Sequence, residues 1–387
     1  MLRAHKIKLN PTDEQMVYFA KACGVARHAY NWALAEWQQQ YEAGGKPNEA
    51  ALRKQYNAIK PVEFPWALEV TKCAPQQAIK NAGVAYQNFF RRVKQGVSGR
   101  KAGYPNFKKK GVHESFRADN GPQRKGESAV PTDGKRIKLP IIGWVKMREE
   151  IRFDGCIQST TVSQQADGWY ITVVVETNQV LERTADRGVA GVDLGVKAMA
   201  TLSTGEVVDG PKPHKVLDAR LRRLNRSLAR KEKGSANFKK AKKKLAKLHK
   251  RMADIRGDAT HKLSHELATE FNVIGLEDLN VSGMTQNHRL ARSIADQAFS
   301  QLRAQVEYKA AMTGAEVVIV DRWFPSSRRC SNCGQLHDMP LSVRTLQCDC
   351  GVTIDRDLNA AINIAKYAAS SAVSACGEES AGVEQST

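Results

Sequence analysis

The chain has 387 residues, a length that favours two or three domains, and 42% of its residues are hydrophobic, enough for ordinary cores. Its net charge is +20, from 60 Lys and Arg against 40 Asp and Glu, which favours a polyanionic partner such as a nucleic-acid backbone. No stretch approaches the roughly 18 apolar residues of a membrane span, and the N-terminus lacks the apolar run of a signal peptide, so we expect a cytosolic protein without a membrane partner.

The first hundred residues are predicted to be mostly helical after a short strand. Residues 2–9 alternate apolar and basic side chains, as a strand does, and Asn10-Pro11 ends the pattern. Thr12 followed by Gln15 has the spacing of a capping box and predicts a helix start. From there to about residue 100 the apolar and aromatic residues follow a helical pattern, interrupted at prolines.

The next region is basic and then β-rich. Residues 101–125 combine lysines, glycines and aromatics, and residues 136–177 have strand character, with a hairpin turn predicted at Asp167-Gly168. Aromatics beside lysines can stack on unpaired bases, although they more often pack in a core. The candidate nucleic-acid contacts of this region are Lys108, Lys109 and Lys110.

A strongly basic helical stretch occupies the middle of the chain. A strand at 188–193 and a hairpin precede it, and it runs over about 214–270 with a break at residues 233–235. Residues 221–256 hold 15 Lys and Arg against two acids, and these cations would repel one another unless a polyanion lay alongside. A solvated charged face is the ordinary alternative. The candidate nucleic-acid contacts here are Arg222, Arg223, Arg226, Arg230, Lys239, Lys240, Lys243, Lys247 and Lys250.

The last third of the chain is predicted to alternate strands and helices. A buried strand at 273–276 ends at Glu277, a helix is expected over 290–313, and residues 316–320 have strand character. A helix is predicted from Asp355 to about residue 369. The Ser-, Ala-, Glu- and Gly-rich tail from Ser370 predicts disorder.

Acids that follow apolar runs suggest a metal site. Asp193 and Glu277 each end a predicted buried strand, and Asp355 and Asp357 stand at a helix start. Carboxylates at strand ends can converge over one edge of a sheet, and hard oxygen ligands bind Mg²⁺ or Mn²⁺. Two such ions would activate a water and stabilise the leaving oxygen in phosphodiester hydrolysis.

Each acid also has a purely structural interpretation. Asp193 can be a turn residue, and Glu277 can be a surface acid beside Asp278. Asp355 can cap a helix whose dipole Asp357 complements. Taken singly, these interpretations are the more ordinary ones. The combination of acids after apolar runs in so basic a chain favours the metal site.

Four cysteines, Cys330, Cys333, Cys348 and Cys350, fall within 21 residues, as C-x2-C, then 14 residues, then C-x-C. In a reducing cytosol, clustered thiols indicate a metal site before disulfides. Four thiolates suit tetrahedral zinc and leave no open position, which predicts a structural Zn²⁺. The second pair is tighter than the usual C-x2-C, and His337 is the alternative to one of the cysteines.

Four motifs together resemble those of the TnpB (OrfB) proteins of bacterial insertion sequences. The RuvC domains of type V CRISPR effectors have a similar arrangement of motifs. The motifs are specific as a set, not singly, and they span residues 188–366, whereas the N-terminal half is similar only in general character. They are GVDLG at 191–195, GLEDL at 275–279, SSRRCSNCG at 326–334 and DRDLNAAINI at 355–364.

The resemblance implies an α+β, multidomain fold. An N-terminal β-barrel (wedge) would be interrupted by a helical recognition insert. An RNase H-like (RuvC) α/β nuclease domain would follow, with an inserted zinc ribbon that binds target nucleic acid. The implied boundaries are 1–10 and 101–185 for the wedge, 11–100 for the insert, 186–327 and 352–369 for the nuclease, 328–351 for the ribbon and 370–387 for a disordered tail.

The resemblance also implies RNA-guided cleavage of double-stranded DNA, in which a guide RNA pairs with the target and the protein reads a short motif beside it. Asp193 and Glu277 would be the first two catalytic acids and Asp357 the third, with Asp355 as the alternate. The implied cofactors are two Mg²⁺ or Mn²⁺ ions and a structural Zn²⁺. The implied setting is the bacterial cytoplasm and its nucleoid.

Two other functions fit the same residues. A regulator could use guide RNA to occupy DNA without cutting it, although the intact acids argue against this. A transposase could join DNA strands, and a strand-transfer product from a transposon-end substrate would distinguish it from a nuclease.

Overall fold

The computed structural model describes residues 1–122, 124, 126–340 and 342–380, with the backbone alone for residues 373–380. Helices and strands are mixed in two compact units, Met1–Gln179 and Val180–Thr387, which confirms the predicted α+β multidomain class. Within the described residues, no helix is both long enough and apolar enough to cross a bilayer.

The first unit combines a set of long helices with two antiparallel sheets. The helices fall within the segment that the sequence predicts to be helical. In chain order the elements are β1 (Leu2–Lys8), α1 (Asp13–Glu42), α2 (Glu49–Glu63), α3 (Cys73–Lys94), β2 (Ser115–Arg117), β3 (Thr132–Asp133), β4 (Arg136–Leu139), β5 (Gly143–Lys146), β6 (Cys156–Gln165) and β7 (Gly168–Glu176).

Helix α1 begins at the predicted capping box. The Thr12 hydroxyl accepts the backbone N–H of Gln15, and the Gln15 side chain accepts the N–H of Thr12. Its buried face carries small and aromatic residues and packs against α3. At that contact the rings of Trp37 and Tyr86 stack with centroids 4.6 Å apart. Phe19 packs on Trp169 of β7, so α1 also covers the larger sheet.

The strands of the first unit form two sheets, in the orders β1-β7-β6-β2 and β3-β4-β5. A hairpin joins β6 to β7, and its turn lies at Ala166-Asp167, one residue before the predicted position. The predicted closed barrel is wrong for the described residues, where β1 and β2 are the outer strands of an open sheet. Strand β2 has only three residues, so few of its backbone groups can pair with another strand. An isolated bridge joins Leu9, which follows β1, to Met147, which follows β5 of the smaller sheet.

The second unit contains a five-stranded sheet, a long helical hairpin, a small two-stranded sheet and a C-terminal helix. Its elements are β8 (Val189–Asp193), β9 (Ala200–Leu202), β10 (Val207–Val208), α4 (Pro213–Ala229), α5 (Ala236–Glu270), β11 (Val273–Glu277), α6 (Val281–Met284), α7 (Ala291–Gln297), α8 (Phe299–Thr313), β12 (Glu316–Val320), β13 (Thr345–Gln347), β14 (Thr353–Asp355) and α9 (Arg356–Ser380).

The five strands have the order β10-β9-β8-β11-β12. Strands β8, β11 and β12 run parallel, and β9 and β10 add an antiparallel edge. The middles of β8 and β11 are buried and apolar, as expected for parallel strands covered on both faces. Parallel strands end at the same edge of a sheet, and ligands of such sheets bind at that edge.

Helix α9 lies against β8 and β11, and two glycines permit this close approach. A Cβ at Gly191 would collide with the backbone of Ala361 and Ala365, and one at Gly275 would lie 2.8 Å from Cγ2 of Ile364. Because both positions lack a side chain, the helix rests directly on the strands. The glycines therefore set how close α9 comes to the middles of β8 and β11.

The basic stretch folds as the hairpin α4–α5. The predicted break lies between the two helices, where the Ser235 hydroxyl caps α5 by accepting the N–H of Phe238 at 3.1 Å. The single helix predicted over 290–313 is wrong in one respect: Ala298, with φ of 52°, divides it into α7 and α8.

The C-terminal region adds the antiparallel pair β13–β14, whose connection carries Cys348 and Cys350, and then α9. Helix α9 continues through Ser380, so the disorder predicted from Ser370 is wrong for residues 370–380. Alanine is the strongest helix former, and the alanines of this segment continue the helix. The remainder of the predicted tail, residues 381–387, lies outside the described residues.

Candidate functional site

Asp193 and Glu277 stand at the ends of two neighbouring parallel strands. Val192 of β8 pairs with Leu276 of β11, so the next residue of each strand lies at the same edge of the sheet. In the chain the two acids are separated by the whole α4–α5 hairpin. The structure thus brings together two acids that the sequence could only place at strand ends.

The electrostatics of this edge are those of crowded carboxylates. Burial, and after it the carboxylates of Glu277 and Asp357, raise the pKa of Asp193 to about 8, and Arg356 opposes them only in part. Burial also raises the pKa of Glu277. Local positive charge is therefore too small to balance the acids, and a divalent cation would supply it. Hard carboxylate oxygens fit Mg²⁺ or Mn²⁺.

The two aspartates at the start of α9 have different roles. One carboxylate oxygen of Asp355 accepts the backbone N–H groups of Asp357 at 2.9 Å and of Leu358 at 3.2 Å, so this exposed side chain caps the helix. The side chain of Asp357 is 24% exposed, and its nearest cation, Arg344, lies 3.7 Å away. Asp357 also affects the pKa of Asp193 more than Asp355 does, which favours Asp357 as the third acid.

Ser326, which sequence reasoning did not single out, holds Glu277 in place. Its hydroxyl donates to Oε1 of Glu277 at 2.7 Å, which partly offsets the pKa increase caused by burial. The backbone of this loop is fixed in turn by α9, because Asn363 Nδ2 donates to the carbonyl of Ser326 at 2.8 Å. Asn359 and Asn363 are both buried. Their i, i+4 spacing, which puts two amides on one face of a helix, was the available signal.

Asp278 behaves unlike its neighbour Glu277. Arg303 and Arg322 donate to its carboxylate at 2.9 and 2.5 Å. These hydrogen bonds hold the pKa of Asp278 below its usual value. Asp278 is therefore neutralised by side chains of the protein.

The four predicted cysteines form one cluster, whose ligand sulfurs all lie within 4.8 Å of one another. The Sγ atoms of Cys330 and Cys350 are 3.7 Å apart, and those of Cys333 and Cys348 are 3.5 Å apart. The N–H of Val352 is the largest of the causes that lower the pKa of Cys350 to about 6, whereas the pKa of Cys348 in the same cluster is raised to about 12. Zinc requires all four as thiolates, so its binding would release protons from the cluster. His337, the alternative ligand, is outside this group. The donor set fits tetrahedral Zn²⁺ with no open position.

Cations line a groove between α4 and α5. It has a volume of about 630 Å³, and its wall contains no acid. Only Arg223 and Lys247 of the predicted contacts line it. Sequence reasoning missed the other three cations, Arg220, Lys244 and Arg251. Their spacing was the available signal: Arg220 lies three residues before Arg223 on α4, and Lys244 and Arg251 lie three before and four after Lys247 on α5.

The other predicted cations of the hairpin divide into two groups. Arg222 pairs with Asp218, and Lys250 donates to Asp254 at 2.6 Å, so each is partly neutralised by an acid on its own helix. The remainder lie on exposed positions of the hairpin and are Arg226, Arg230, Lys239, Lys240 and Lys243.

In the first unit, Lys108 serves a structural purpose. Its ammonium lies 4.3 Å from the ring centroid of Tyr30, and its backbone exchanges hydrogen bonds with the side chain of Asn31. Burial lowers its pKa. Lys108 therefore anchors its loop to α1, whereas Lys109 and Lys110 are exposed.

Three family models match the chain in sequence order. A helix-turn-helix domain of the OrfB/IS605 type matches residues 1–46, which in the structure are β1 and α1 with the start of the following loop. The OrfB/IS605 family described as "Probable transposase" matches residues 172–288, which include Asp193 and Glu277. The "Cas12f1-like, TNB domain" matches residues 299–364, which include the cysteine cluster and Asp357.

Whole-chain comparisons agree with these matches. A Streptomyces pristinaespiralis protein named "Putative RNA-guided DNA endonuclease" is 36% identical over 97% of this chain and 91% of its own length. The Escherichia coli K12 protein of the same description, InsQ, is 33% identical over 97% and 94%. The fold is similar to that in a cryo-electron microscopy structure of a Cas12f1–sgRNA–target DNA complex, with a TM-score of 0.60, 13% identity, and coverage of 94% of this chain and 98% of the other. On sequence identity along nearly its whole length, the chain belongs to the TnpB (OrfB) family.

Proposed function

We propose that this protein is an RNA-guided endonuclease of a bacterial insertion sequence and that it cleaves double-stranded DNA. The observation that carries the proposal is that Asp193 and Glu277 lie at one sheet edge, where burial and the nearby carboxylates of Glu277 and Asp357 raise the pKa of Asp193 to about 8. Carboxylates perturbed in this way are typical of functional sites. The relatives named as RNA-guided DNA endonucleases support the assignment.

Asp193, Glu277 and Asp357 would hold two Mg²⁺ or Mn²⁺ ions. When bound, such ions polarise the scissile phosphate and lower the pKa of water. Ser326 orients Glu277 through its hydrogen bond, and Asp355 fixes the first turn of α9 that carries Asp357. Asp278 is kept out of the site by its two arginines, so the ligand set stays defined.

The α4–α5 groove would hold a nucleic-acid backbone, because five cations line it without an acid. Guide RNA paired with target DNA is the duplex that such a groove suits, since it is recognised through its backbone and shape. Lys109 and Lys110 would add contacts from the first unit. Reading of a short motif beside the target, and action at the bacterial nucleoid, are part of the same proposal.

The segment 328–351 would be a zinc ribbon that binds target nucleic acid. Cys330, Cys333, Cys348 and Cys350 would hold a structural Zn²⁺, which stabilises a segment too small to form a core of its own. The wedge (1–10 and 101–185), the recognition insert (11–100) and the nuclease (186–327 and 352–369) remain the proposed division of the rest.

The test begins with the RNA that co-purifies when the protein is expressed with its native flanking DNA. We expect one RNA with a constant scaffold and a variable end, and Mg²⁺-dependent cutting of a plasmid that matches this end. Asp193→Ala should abolish cutting, while Asp209→Ala, at an exposed acid elsewhere, should not.

Other outcomes would replace the proposal. A random sample of cellular RNA would indicate indiscriminate phosphate binding. Guided binding without a cleavage product would favour the regulator. Joined strands from a transposon-end substrate would favour the transposase, and retained cutting by Asp193→Ala would refute the site.

A further inference from the structure

A second basic cavity lies on the opposite face of α4 from the hairpin groove. At 3.6 residues per turn, His214, Asp218 and Leu221 point away from the side that carries Arg220 and Arg223. The cavity has a volume of about 310 Å³ and lies between α4, α7 and the chain that follows β8. We refer to it as the α4–α7 pocket, and its basic residues are Lys212, Lys215, Arg222, Arg289 and Arg292.

The two acids in the wall of the α4–α7 pocket are already engaged. Asp218 pairs with Arg222. Asp296 is 4% exposed and accepts both the backbone N–H of His214, at 2.9 Å, and its ring Nδ1, at 2.5 Å. In addition, a guanidinium nitrogen of Arg256 lies 3.6 Å from the same carboxylate. Neither acid is free to balance the remaining cations.

Three cations of the pocket are left for a ligand. Across the described ranges, neither Lys215, Arg289 nor Arg292 forms an ion pair, and all three are exposed. They come from separate parts of the chain: Lys215 from α4, Arg289 from the segment before α7 and Arg292 from α7 itself. Cations brought together from different parts of the chain around a cavity repel one another, and an anion between them removes that repulsion. Arginine in particular suits the paired oxygens of a phosphate.

The walls of the pocket are held in a strained and specific arrangement. Lys212, which precedes α4, and Ala298, which follows α7, have φ of 43° and 52°, values that non-glycine residues rarely adopt. Asp296 ties α7 to the start of α4, and Gln297 Nε2 donates to the carbonyl of Val196 at 2.9 Å. The break at Ala298 therefore lets α7 form a wall rather than continue into α8.

The α4–α7 pocket lies next to the acidic edge of the sheet. Val196 lines it and follows Asp193 by three residues, which can span at most about 11 Å. A nucleic-acid strand advances roughly 3.4 Å along a duplex per nucleotide, so that distance corresponds to about three nucleotides. A strand whose scissile phosphate reaches Asp193 would bring a neighbouring phosphate to the pocket.

We infer that the α4–α7 pocket binds a backbone phosphate of the DNA strand being cut, within about three nucleotides of the scissile bond. This inference rests on the proposed function and names a substrate contact for it. Arg289 and Arg292 bind the phosphate and so fix the register of the strand over the acids. Asp296 and Ala298 keep the pocket open and do not touch the strand.

The test combines protein variants with DNA from which one charge at a time is removed. The guided complex is given targets that carry a single neutral methylphosphonate at successive positions around the cut, and the single-turnover rate is measured. For the wild type, one position within about three nucleotides should slow cutting by about tenfold. In Arg292→Gln, cutting of unmodified DNA should fall to a similar extent, and the methylphosphonate at that position should add no further loss.

Two variants serve as controls. Lys262→Gln removes an exposed cation of α5 outside the pocket and should leave the methylphosphonate effect at its full size. Arg292→Lys keeps the charge and should retain most of the rate. Fully additive losses for Arg289→Gln and Arg292→Gln at every position would overturn the inference, as would loss of RNA binding without any effect on DNA.

A binding measurement separates this inference from the proposed function. A short fluorescein-labelled oligothymidylate is titrated into the full chain at several salt concentrations. The slope of the logarithm of the binding constant against the logarithm of the salt concentration should become shallower by about 0.7 in Arg289→Gln and in Arg292→Gln, and should not change in Lys262→Gln. If the wild type binds in this way but never cuts, the proposed function fails and the phosphate site stands. Unchanged slopes in both arginine variants overturn the phosphate site even if guided cutting is observed.

Discussion

The acidic centre and the cysteine cluster are both candidate metal sites, but they are constructed in opposite ways. The cysteines come from one 21-residue segment, and their sulfurs all lie within 4.8 Å of one another. The acids come from three distant segments, and in the described part of the chain they are not gathered as tightly. We therefore expect the cysteine segment to need a bound metal to keep its site, whereas the acidic centre is positioned by a sheet and a helix.

The two sites also differ in what shifts the pKa values of their side chains. Cys333 and Cys350 are exposed, and the hydrogen bond from the N–H of Val352, not burial, is the largest cause of the lowered pKa of Cys350. Burial raises the pKa values of Asp193 and Glu277, so the fold disfavours the charged form of both carboxylates. Metal removal should therefore unfold the cysteine segment but leave the acidic centre folded and inactive.

The largest expected effect concerns the third acid. Asp357→Asn should reduce guided cleavage by about 10³-fold or more, because it removes a proposed metal ligand. Asp355→Asn should remain within a few-fold of the wild type, because asparagine also caps helices. Single-turnover cleavage with a fixed guide measures both variants. Activity in Asp357→Asn together with loss in Asp355→Asn would exchange the two roles.

The next effect tests whether the cysteine segment depends on its metal. Cys350→Ser, or treatment with a zinc chelator, should reduce the bound zinc from about one per chain towards none. Hydrogen exchange should then become fast in residues 328–355 and stay slow in β8 and β11. Cys73→Ser, outside the cluster, is the control. Zinc retained in Cys350→Ser would mean that Cys350 is not a ligand.

A smaller effect is expected at the loop that supports the acidic centre. Ser326→Ala removes the hydrogen bond to Glu277, and loss of such a supporting contact lowers metal affinity by about tenfold or more. The Mg²⁺ concentration for half-maximal cutting should rise accordingly. Ser326→Thr should retain the wild-type value, and Ser282→Ala, an exposed serine of α6, is a control. An unchanged Mg²⁺ dependence in Ser326→Ala would separate this loop from the metal site.

The smallest effect tests whether a shifted pKa always marks a functional site. Lys309, on α8, is 8% exposed, and burial lowers its pKa to about 8. Its ammonium donates to the carbonyl of His261 at 2.6 Å and to the hydroxyl of Ser264 at 2.7 Å. We expect Lys309→Met to cut normally, because the charge serves no site.

The sign of the pH effect follows from the lowered pKa of Lys309. Between pH 8 and the unfolded value near 10.5, the unfolded chain binds more protons, so the wild type gains stability as the pH rises. Lys309→Met should lack this gain. At pH 7.5 its free energy of unfolding should exceed that of the wild type by on the order of 1 kcal/mol, and the difference should shrink by pH 10. Urea denaturation at the two pH values measures it. A constant difference would show that the ammonium is not desolvated.

Features that depend on neighbouring residues could be predicted from the sequence. The capping box at Thr12 and Gln15 and the helix break before Ser235 are fixed by nearby backbone hydrogen bonds, and the structure confirms them. The cysteine spacing is likewise a local signal, and the four thiols do meet. Each of these features is complete within a few residues or a short segment.

Features that depend on long-range pairing could not be predicted in the same way. Closure of a barrel depends on whether β1 and β2 pair, which no local pattern records. The division at Ala298 depends on the partners of Asp296 and Gln297, which are distant in the chain. The contact of Ser326 with Glu277 is of the same kind. For the acids, the sequence indicated the residues, and their roles in catalysis stay a prediction.

Helix α9 has a consequence for the order in which the protein is made. It supplies Asp357, it fixes the Ser326 loop through Asn363, and its Asn359 accepts the N–H of Ser331 in the cysteine segment. A ribosome produces α9 after the rest of the described chain. Until then the nascent protein carries the basic hairpin and two of the acids, but neither the third acid nor the helix that fixes the loop. Under the proposed function, chains released before α9 is made would bind nucleic acid without being able to cut it.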